Sequence, residues 1–194
     1  MVWQDYPVWG LCLYDSRVTP TEVIDVVERT HPRIVTGTGR RRMNDRYEDP
    51  AMFVHAPAEP DPLEASPPAV DLVGATPAEA RRALRRVATG SLDRETLEGL
   101  VLGVSETVTN GYVHGSAPVT LRIWTTTDHV VVTVHDTGTG PDDPFAGLRS
   151  TAVDPRGIGK GLWLAHQLCT DVELSTTSSG FKVRFRATSS SSAL

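Results

Sequence analysis

The spacing of apolar residues in the second half of the chain switches between a helical period and a strand period. Thr76-Pro-Ala-Glu79 is a capping box and predicts the start of a helix rich in alanine and arginine. Alternating apolar positions at 119–123 and 130–134 predict two strands joined by a tight turn. A second helix is predicted between the first helix and these strands, from apolar residues one to four positions apart, namely Leu97, Leu100, Val101, Val104 and Val108.

The same two periods recur before the end of the chain. Alternation at 172–174 and 183–185 predicts a second hairpin. The order helix, helix, hairpin, long loop, helix, hairpin indicates an α+β fold, a two-layer α/β sandwich. The third helix of that order is predicted from Leu162, Leu164, Ala165 and Leu168.

A short segment with its own pattern precedes this region. A strand at 10–14, a helix from a Thr19-Pro-Thr-Glu22 capping box to about Thr30, and a strand at 33–36 form a small strand-helix-strand segment. Five prolines and four acidic residues between 56 and 74 predict a linker that does not pack. The predicted division is a first segment, a linker, a main domain and a disordered tail, at 1–55, 56–74, 75–188 and 189–194.

Composition narrows the functional class. The net charge of −5 argues against nucleic acid as the main partner, and the chain has no run of 18 apolar residues that would predict a membrane-spanning helix. The N-terminus lacks the apolar core of a secretory signal, so we expect a cytoplasmic protein. Cys12 and Cys169 lie in apolar runs and are expected to be reduced core residues, because a disulfide framework needs more cysteines.

Candidate chemistry begins on the second predicted helix. Glu106, Asn110 and His114 fall four positions apart, so they share one stripe opposite the apolar one. An amide oxygen suits a hard cation, and a carboxylate suits a general base. A solvated helix face is the alternative interpretation of Glu106 and Asn110, and His114 is expected to close the helix.

Asp136 ends a predicted strand and is followed by Gly138 and Gly140. A carboxylate there can accept a hydrogen bond from an exocyclic amine, and glycines allow a planar ring to approach the backbone. The same residues are also consistent with an ordinary Asp-x-Gly turn.

A long loop at 141–157 leads into Arg156-Gly-Ile-Gly-Lys-Gly-Leu162. Glycines free backbone N–H groups to face an anion, and the N-terminus of the following helix carries partial positive charge. Loops of this length in compact domains are usually functional or disordered, so a plain hinge with solvated basic residues stays open. The motif is no P-loop, because no G-x-x-x-x-G-K-[ST] follows a strand.

The order of these three motifs resembles that of the Bergerat-fold ATPases, the gyrase, heat-shock chaperone and histidine-kinase group. Glu106-Thr-Val-Thr-Asn110 resembles their N box, Asp136-Thr-Gly-Thr-Gly140 the first glycine box, and 157–162 the second. The short length and the run from Ser105 to Gly115 resemble the anti-sigma-factor serine kinases and their actinobacterial relatives. The resemblance covers roughly 75–188.

The resemblance implies ATP and Mg²⁺ as cofactors and gives each motif a role. Glu106 would be the general base, Asn110 the Mg²⁺ ligand, and Asp136 the adenine anchor beside Gly138 and Gly140. The phosphate-side residues would be Arg156, Gly157, Ile158, Gly159, Lys160, Gly161 and Leu162. One departure is that Phe181 follows Gly180, where the family often has a threonine. The first segment resembles the C-terminal end of the MEDS sensor domain.

These resemblances predict an ATP-binding anti-sigma regulatory factor that phosphorylates a serine or threonine of a STAS-type anti-anti-sigma partner and binds a sigma factor. A homodimer is a further expectation, and direct nucleic-acid or membrane binding is not expected. A non-catalytic nucleotide-binding or partner-binding module is the first alternative. A detached histidine-kinase catalytic domain is the second, although nothing upstream of Ala75 supplies a helical hairpin with an acceptor histidine.

Overall fold

The structure is a computed structural model that describes residues 11–35, 39–49, 59–141, 147, 163, 166–167, 169 and 171–189. The chain divides into two compact units, Met1–Val54 and His55–Leu194, and each is described by itself. None of the described helices has the length and apolar composition needed to cross a bilayer.

The first unit contains helix α1, Thr21–Thr30, and an antiparallel pair of strands, β1 (Arg33–Val35) and β2 (Arg41–Met43). The buried side chain of Asn44 ties the helix to the pair, since its amide donates to the carbonyls of Glu28 and His31. The predicted helix and the strand at 33–36 are therefore confirmed within one residue.

Three details of the first unit differ from the sequence prediction. Residues 11–14 form no strand, and Cys12 is exposed. The N-cap position of α1 falls on Pro20, whose side chain has no acceptor, so the predicted capping box at Thr19 does not form. Strand β2 gave no sequence signal because its three residues are all exposed and show no alternation.

The second unit is a five-stranded antiparallel sheet with helices against one face, which confirms the two-layer α+β sandwich. The strand order is β3-β4-β5-β7-β6. The strands are β3 Val70–Val73, β4 Thr120–Thr125, β5 His129–Asp136, β6 Asp171–Thr177 and β7 Gly180–Thr188, and the helices are α2 Pro77–Ala88 and α3 Arg94–Val113.

The helix-covered face of the sheet carries the hydrophobic core. The predicted capping box starts α2, with the Thr76 hydroxyl accepting from the Glu79 N–H and the Glu79 carboxylate accepting from the Thr76 N–H at 2.9 Å. Helix α3 starts at Asp93, whose carboxylate accepts from the Thr96 N–H at 2.9 Å. Fully buried residues of the helices and of the sheet meet between the two layers, including Leu84, Leu100, Val104, Val132 and Phe185.

The opposite face, which we call the outer face, is crossed by residues 59–68, which we call the strap. The strap contains a 3₁₀ helix, Pro62–Ala65, capped by Asp61. Its far end is held by the indole N–H of Trp124, which donates to the Ser66 carbonyl at 2.8 Å. The sequence predicted an unpacked linker over 56–74, whereas residues of that stretch form the strap and the edge strand β3.

Acidic groups of the strap explain this difference, because they pair with arginines of β7. Arg184 is only 1% exposed and lies 2.5 Å from a carboxylate oxygen of Glu64 and 2.7 Å from one of Glu173. Arg186 lies 2.9 Å from the carboxylate of Asp61. The strap has the charged composition of a linker, but it packs on the sheet because β7 supplies arginines that neutralise its acidic side chains.

Candidate functional site

Helix α3 presents Glu106 and Asn110 one turn apart, both half-exposed, while Val101, Val104 and Val108 on its other side are buried. Within the described part of the chain, neither the Glu106 carboxylate nor the Asn110 amide makes a hydrogen bond or ion pair. Both polar groups are therefore available to a ligand. His114 ends the helix as predicted, with its N–H donating to the Asn110 carbonyl at 2.8 Å.

Asp136 is the last residue of β5 and is only 7% exposed. Its Oδ1 accepts from the backbone N–H groups of Gly138 at 2.8 Å and Ser116 at 3.1 Å. These two bonds fix the orientation of the carboxylate. Among the described residues, no donor reaches Oδ2, so that oxygen keeps its acceptor capacity.

Two glycines leave the space in which the Asp136 carboxylate lies. A Cβ on Gly115 would lie 2.5 Å from Cγ and 2.8 Å from Oδ2 of Asp136, and a Cβ on Gly138 would lie 2.8 Å from Oδ1. All three distances are shorter than a normal van der Waals contact. Gly138 was predicted for this site, whereas Gly115 was not, because in sequence it reads only as the residue that follows a helix end.

The C-terminal end of α3 and the end of β5 pack directly on each other. A Cβ on Gly111 would touch Val119 at 3.0 Å and the Cβ of Asp136 at 3.7 Å. The Thr137 N–H donates to the Ser116 carbonyl at 2.9 Å, and its hydroxyl donates to the Ala117 carbonyl at 3.0 Å. The fold thus brings together the predicted Glu106–Asn110 motif and the predicted Asp136 motif.

Phe181 lies beside Asp136, because the two residues are register partners in β5 and β7. Gly140 has a φ of +81°, and a Cβ there would lie 2.8 to 2.9 Å from atoms of the Phe181 ring. The ring is buried and belongs to the core cluster. The turn from Gly138 to Gly140 is therefore packed on Phe181, a contact that the sequence did not reveal.

Burial shifts the pKa of two ionisable groups that are not part of the site. His135 lies on the outer face, where its Nε2 is 3.2 Å from the Ser179 hydroxyl, and burial lowers the pKa of its imidazole. Burial raises the pKa of the Cys169 thiol to about 12, and this free cysteine packs against the core, in agreement with the predicted reduced core residue.

The predicted phosphate-side residues lie outside the described residues. They are Arg156, Gly157, Ile158, Gly159, Lys160, Gly161 and Leu162. Their predicted role therefore stays a prediction, and α3, the end of β5 and the start of β7 form the rest of the candidate site.

Comparisons with known proteins agree with this architecture. The sequence profile of the histidine kinase-like ATPase domain matches residues 73–187, more than half of the chain. No curated protein matches the sequence. A similar solved structure is that of the RsbU and RsbW domains of Rv1364c from Mycobacterium tuberculosis, with a TM-score of 0.45 and 18% identity, covering 63% of this chain and 32% of that one. The chain spans about a third of that structure's length. The profile match over most of the second unit shows that this chain belongs to the histidine kinase-like ATPase domain family.

Proposed function

We propose that this chain is an ATP-binding regulatory kinase that transfers phosphate to a serine or threonine of a protein partner. The observation that carries the proposal is the buried Asp136 carboxylate, held in a glycine cradle with one oxygen uncommitted, next to a helix that presents Glu106 and Asn110. The family match supports ATP as the nucleotide.

The residues around Asp136 fit a purine that carries an exocyclic amine. An amine donates hydrogen bonds, and Oδ2 of Asp136 is an acceptor without a donor among the described residues. Gly115 and Gly138 leave room for a planar group close to the backbone. Two backbone N–H groups hold the carboxylate in place before a ligand arrives, which reduces the ordering cost of binding.

Asn110 suits the role of the protein ligand for Mg²⁺. Among the residues that the structure describes, no cluster of three or more His, Cys, Asp or Glu side chains is suited to hold a metal ion. Mg²⁺ commonly keeps several waters and takes one or two protein oxygens together with substrate phosphates, so a single amide oxygen is chemically sufficient. When bound, the ion would neutralise charge on the phosphates.

Glu106 is the candidate general base. Its carboxylate lies one helical turn from Asn110, is half-exposed and has no partner among the described residues, so a hydroxyl group of a protein substrate can approach it. In the proposed reaction Glu106 accepts the proton of the attacking hydroxyl. Phosphoryl transfer depends mainly on positioning and charge neutralisation, so few protein groups are required.

We further propose that the partners are those of a partner-switching system. The substrate would be a STAS-type anti-anti-sigma protein, and the second partner would be a sigma factor that the kinase sequesters. The kinase would act in the cytoplasm and form a homodimer. The motif run from Ser105 to Gly115 supports this assignment by its resemblance to anti-sigma-factor kinases.

Calorimetric titration of ATP, with and without Mg²⁺, tests nucleotide binding. Asp136→Asn should weaken ATP binding at least tenfold, since the amide presents a donor where the amine needs an acceptor. Asp71→Asn, which changes an exposed carboxylate on the edge strand, is the matched control and should bind like the wild type. Absence of ATP binding by the wild type at millimolar concentration would refute the proposal.

Transfer of radiolabelled phosphate from ATP to candidate STAS proteins tests catalysis. Glu106→Gln should reduce transfer by a factor of about 100 or more, the usual contribution of a general base, while ATP affinity stays within a few fold. Glu98→Gln, an exposed glutamate of the same helix paired with Arg85, should leave transfer unchanged. Equal transfer by the Glu106 variant and the wild type would refute the assigned base.

A non-catalytic binding module is the second candidate function. The packing of Phe181 against the Gly138–Gly140 turn favours it, because an apolar ring replaces a polar group at the end of the site. Tight ATP binding with neither hydrolysis nor transfer in the presence of partner proteins would support this function over the kinase.

A further inference from the structure

The geometry points to Phe181 as a positioning residue that sets the base selectivity of the site. This inference rests on the proposed nucleotide binding and goes beyond it, because it assigns a role to a residue outside the three motifs. The Phe181 ring supports the Gly138–Gly140 turn and, among the residues that the structure describes, leaves Asp136 as the polar side chain that contacts the base from this end of the sheet.

The backbone holds Phe181 beside Asp136. Gly180 has a φ of +142°, a conformation that L side chains rarely adopt, and a Cβ there would overlap the Asp136 carbonyl and lie 2.8 Å from Cα of Thr137. This close approach fixes the register of β7 against β5 at their ends. Cross-strand partners have Cβ atoms about 5 Å apart, so the ring and the carboxylate are neighbours on the helix-covered face.

The ring in turn determines where the glycine turn lies. Gly140 adopts positive φ with its missing Cβ directed at the ring, so the backbone is seated on Phe181 without space for a side chain. Gly138, two residues earlier, donates its N–H to Asp136. Moving the ring would therefore move the turn and, through Gly138, the carboxylate.

The chemistry of this end of the site follows from these contacts. Asp136 accepts hydrogen bonds, and the phenyl ring neither donates nor accepts one. A base with an exocyclic amine is favoured, because the amine donates to the carboxylate. A base with a carbonyl at the same position is disfavoured, because its oxygen and the carboxylate carry like partial charge and residue 181 offers no donor. Because Asp136 supplies this preference among the described residues, the preference should respond strongly to a hydroxyl introduced beside it.

The test compares ATP with ITP, which differ by an amine and a carbonyl at one position of the base. For the wild type we expect ATP to bind at least tenfold more tightly than ITP. Phe181→Thr should reduce this ratio at least threefold, because its hydroxyl can donate to the carbonyl of ITP. Phe181→Leu, which keeps an apolar side chain, should preserve the ratio even if the affinities for both nucleotides fall.

A double-mutant cycle tests the support of the turn. Gly140→Ala should weaken ATP binding at least tenfold because the new methyl group overlaps the ring, and adding Phe181→Leu should restore much of that loss. Gly90→Ala is the matched control, since Gly90 also has positive φ but no atom within 4 Å of its Cβ position. It should leave ATP affinity unchanged while showing the same backbone strain.

The outcomes separate the two proposals. If the wild type binds neither nucleotide, the proposed function and this inference both fail. If the wild type binds ATP but Phe181→Thr leaves the ratio of the two affinities at the wild-type value, or if the Gly140 and Phe181 effects simply add, nucleotide binding stands and the role of Phe181 is overturned.

Discussion

The two faces of the five-stranded sheet are stabilised by different physics. The helix-covered face buries aliphatic and aromatic side chains against α2 and α3. The outer face carries charged residues of β7 at alternate positions, Lys182, Arg184 and Arg186, and is covered by the acidic strap. One strand, β7, therefore contributes to an apolar core on one side and to a buried ion network on the other.

This difference shows that side chains in this protein are buried for two different physical reasons. Phe185 is buried because apolar surface leaves water, a contribution of about 25 cal/mol per Å² that needs no particular partner. Arg184 is equally buried, but it is tolerated only because Glu64 and Glu173 neutralise it. The apolar face should therefore tolerate repacking, whereas the outer face depends on specific pairs. Four predictions, from the largest expected effect to the smallest, test this contrast.

Phe185→Ala should give the largest loss of stability. The ring is fully buried between β7 and the helices, and its removal should cost about 3–5 kcal/mol of unfolding free energy through lost burial and the cavity left behind. Urea unfolding measures the loss. A more conservative Phe185→Leu should cost clearly less, and a loss below about 1 kcal/mol for the alanine variant would contradict the assigned core.

Arg184→Met should cost about 3 kcal/mol, because it removes the most buried cation of the network and leaves Glu64 with only Lys182 at 3.9 Å and Glu173 with only Arg186 at 3.1 Å. Adding Glu64→Gln and Glu173→Gln should recover part of the loss, since the uncompensated charges are then removed. Urea unfolding of the single and triple variants measures both steps. An equal or larger loss in the triple variant would show that the ion network itself, and not stranded charge, supplies the stability.

Asp61 makes the attachment of the strap depend on pH. Burial would raise the pKa of its carboxyl, but hydrogen bonds from the Leu63 N–H and the Arg186 guanidinium outweigh burial, so the pKa lies below its ordinary value. A carboxyl with a depressed folded pKa stabilises the fold above the unfolded pKa of about 3.9, and this contribution is lost as pH falls through the lower folded pKa.

The measurement for Asp61 is urea unfolding of wild type and Asp61→Asn at several pH values. At neutral pH the variant should be less stable by about 1.5 kcal/mol, the scale of a hydrogen bond to a charged group. The difference should shrink on acidification below about pH 4. Asp128→Asn changes an exposed turn carboxylate and is the control, and a pH-independent difference for Asp61→Asn would contradict the lowered pKa of Asp61.

Asp71→Ala should have the smallest effect. Its carboxylate pairs with Arg122 at 3.1 Å on the same outer face, but both side chains are about half exposed, at 46% and 50%. Exposed pairs contribute about 0–1 kcal/mol, so a loss below about 0.5 kcal/mol is expected and should diminish further in high salt. A loss similar to that of Arg184→Met would show that burial does not separate the two kinds of pair.

The sequence predicted the elements of the helix-covered side well, because their signals come from residues that are close together in the chain. The capping box at Thr76 and the periodic apolar residues of α3, β4 and β5 depend on neighbours within a few positions, and each formed as predicted. The capping box predicted at Thr19 did not form, because helix α1 begins one residue later than predicted and its N-cap position falls on Pro20. The motif alone cannot fix which residue takes that position.

The candidate site was predictable in part. Glu106, Asn110 and Asp136 stood out by residue type and spacing, and the fold brings their elements together through Gly111 and Ser116. Gly115 was missed as a site residue and Phe181 was noted only as a departure from the family pattern, because their contacts come from a strand or turn that is distant in sequence. The same holds for the strap, whose acidic composition resembled a linker until arginines of β7 were placed beneath it.

The sequence by itself determined the order of helices α2 and α3 and strands β4 to β7, the two-layer architecture and the residue types available for nucleotide chemistry, since periodicity and capping are local properties of the chain. Only the tertiary structure decided which glycines enclose Asp136, that Phe181 supports the turn beside it, and that residues 59–68 pack as a strap. The physical reason is that steric exclusion and charge compensation depend on atoms brought together from distant parts of the chain.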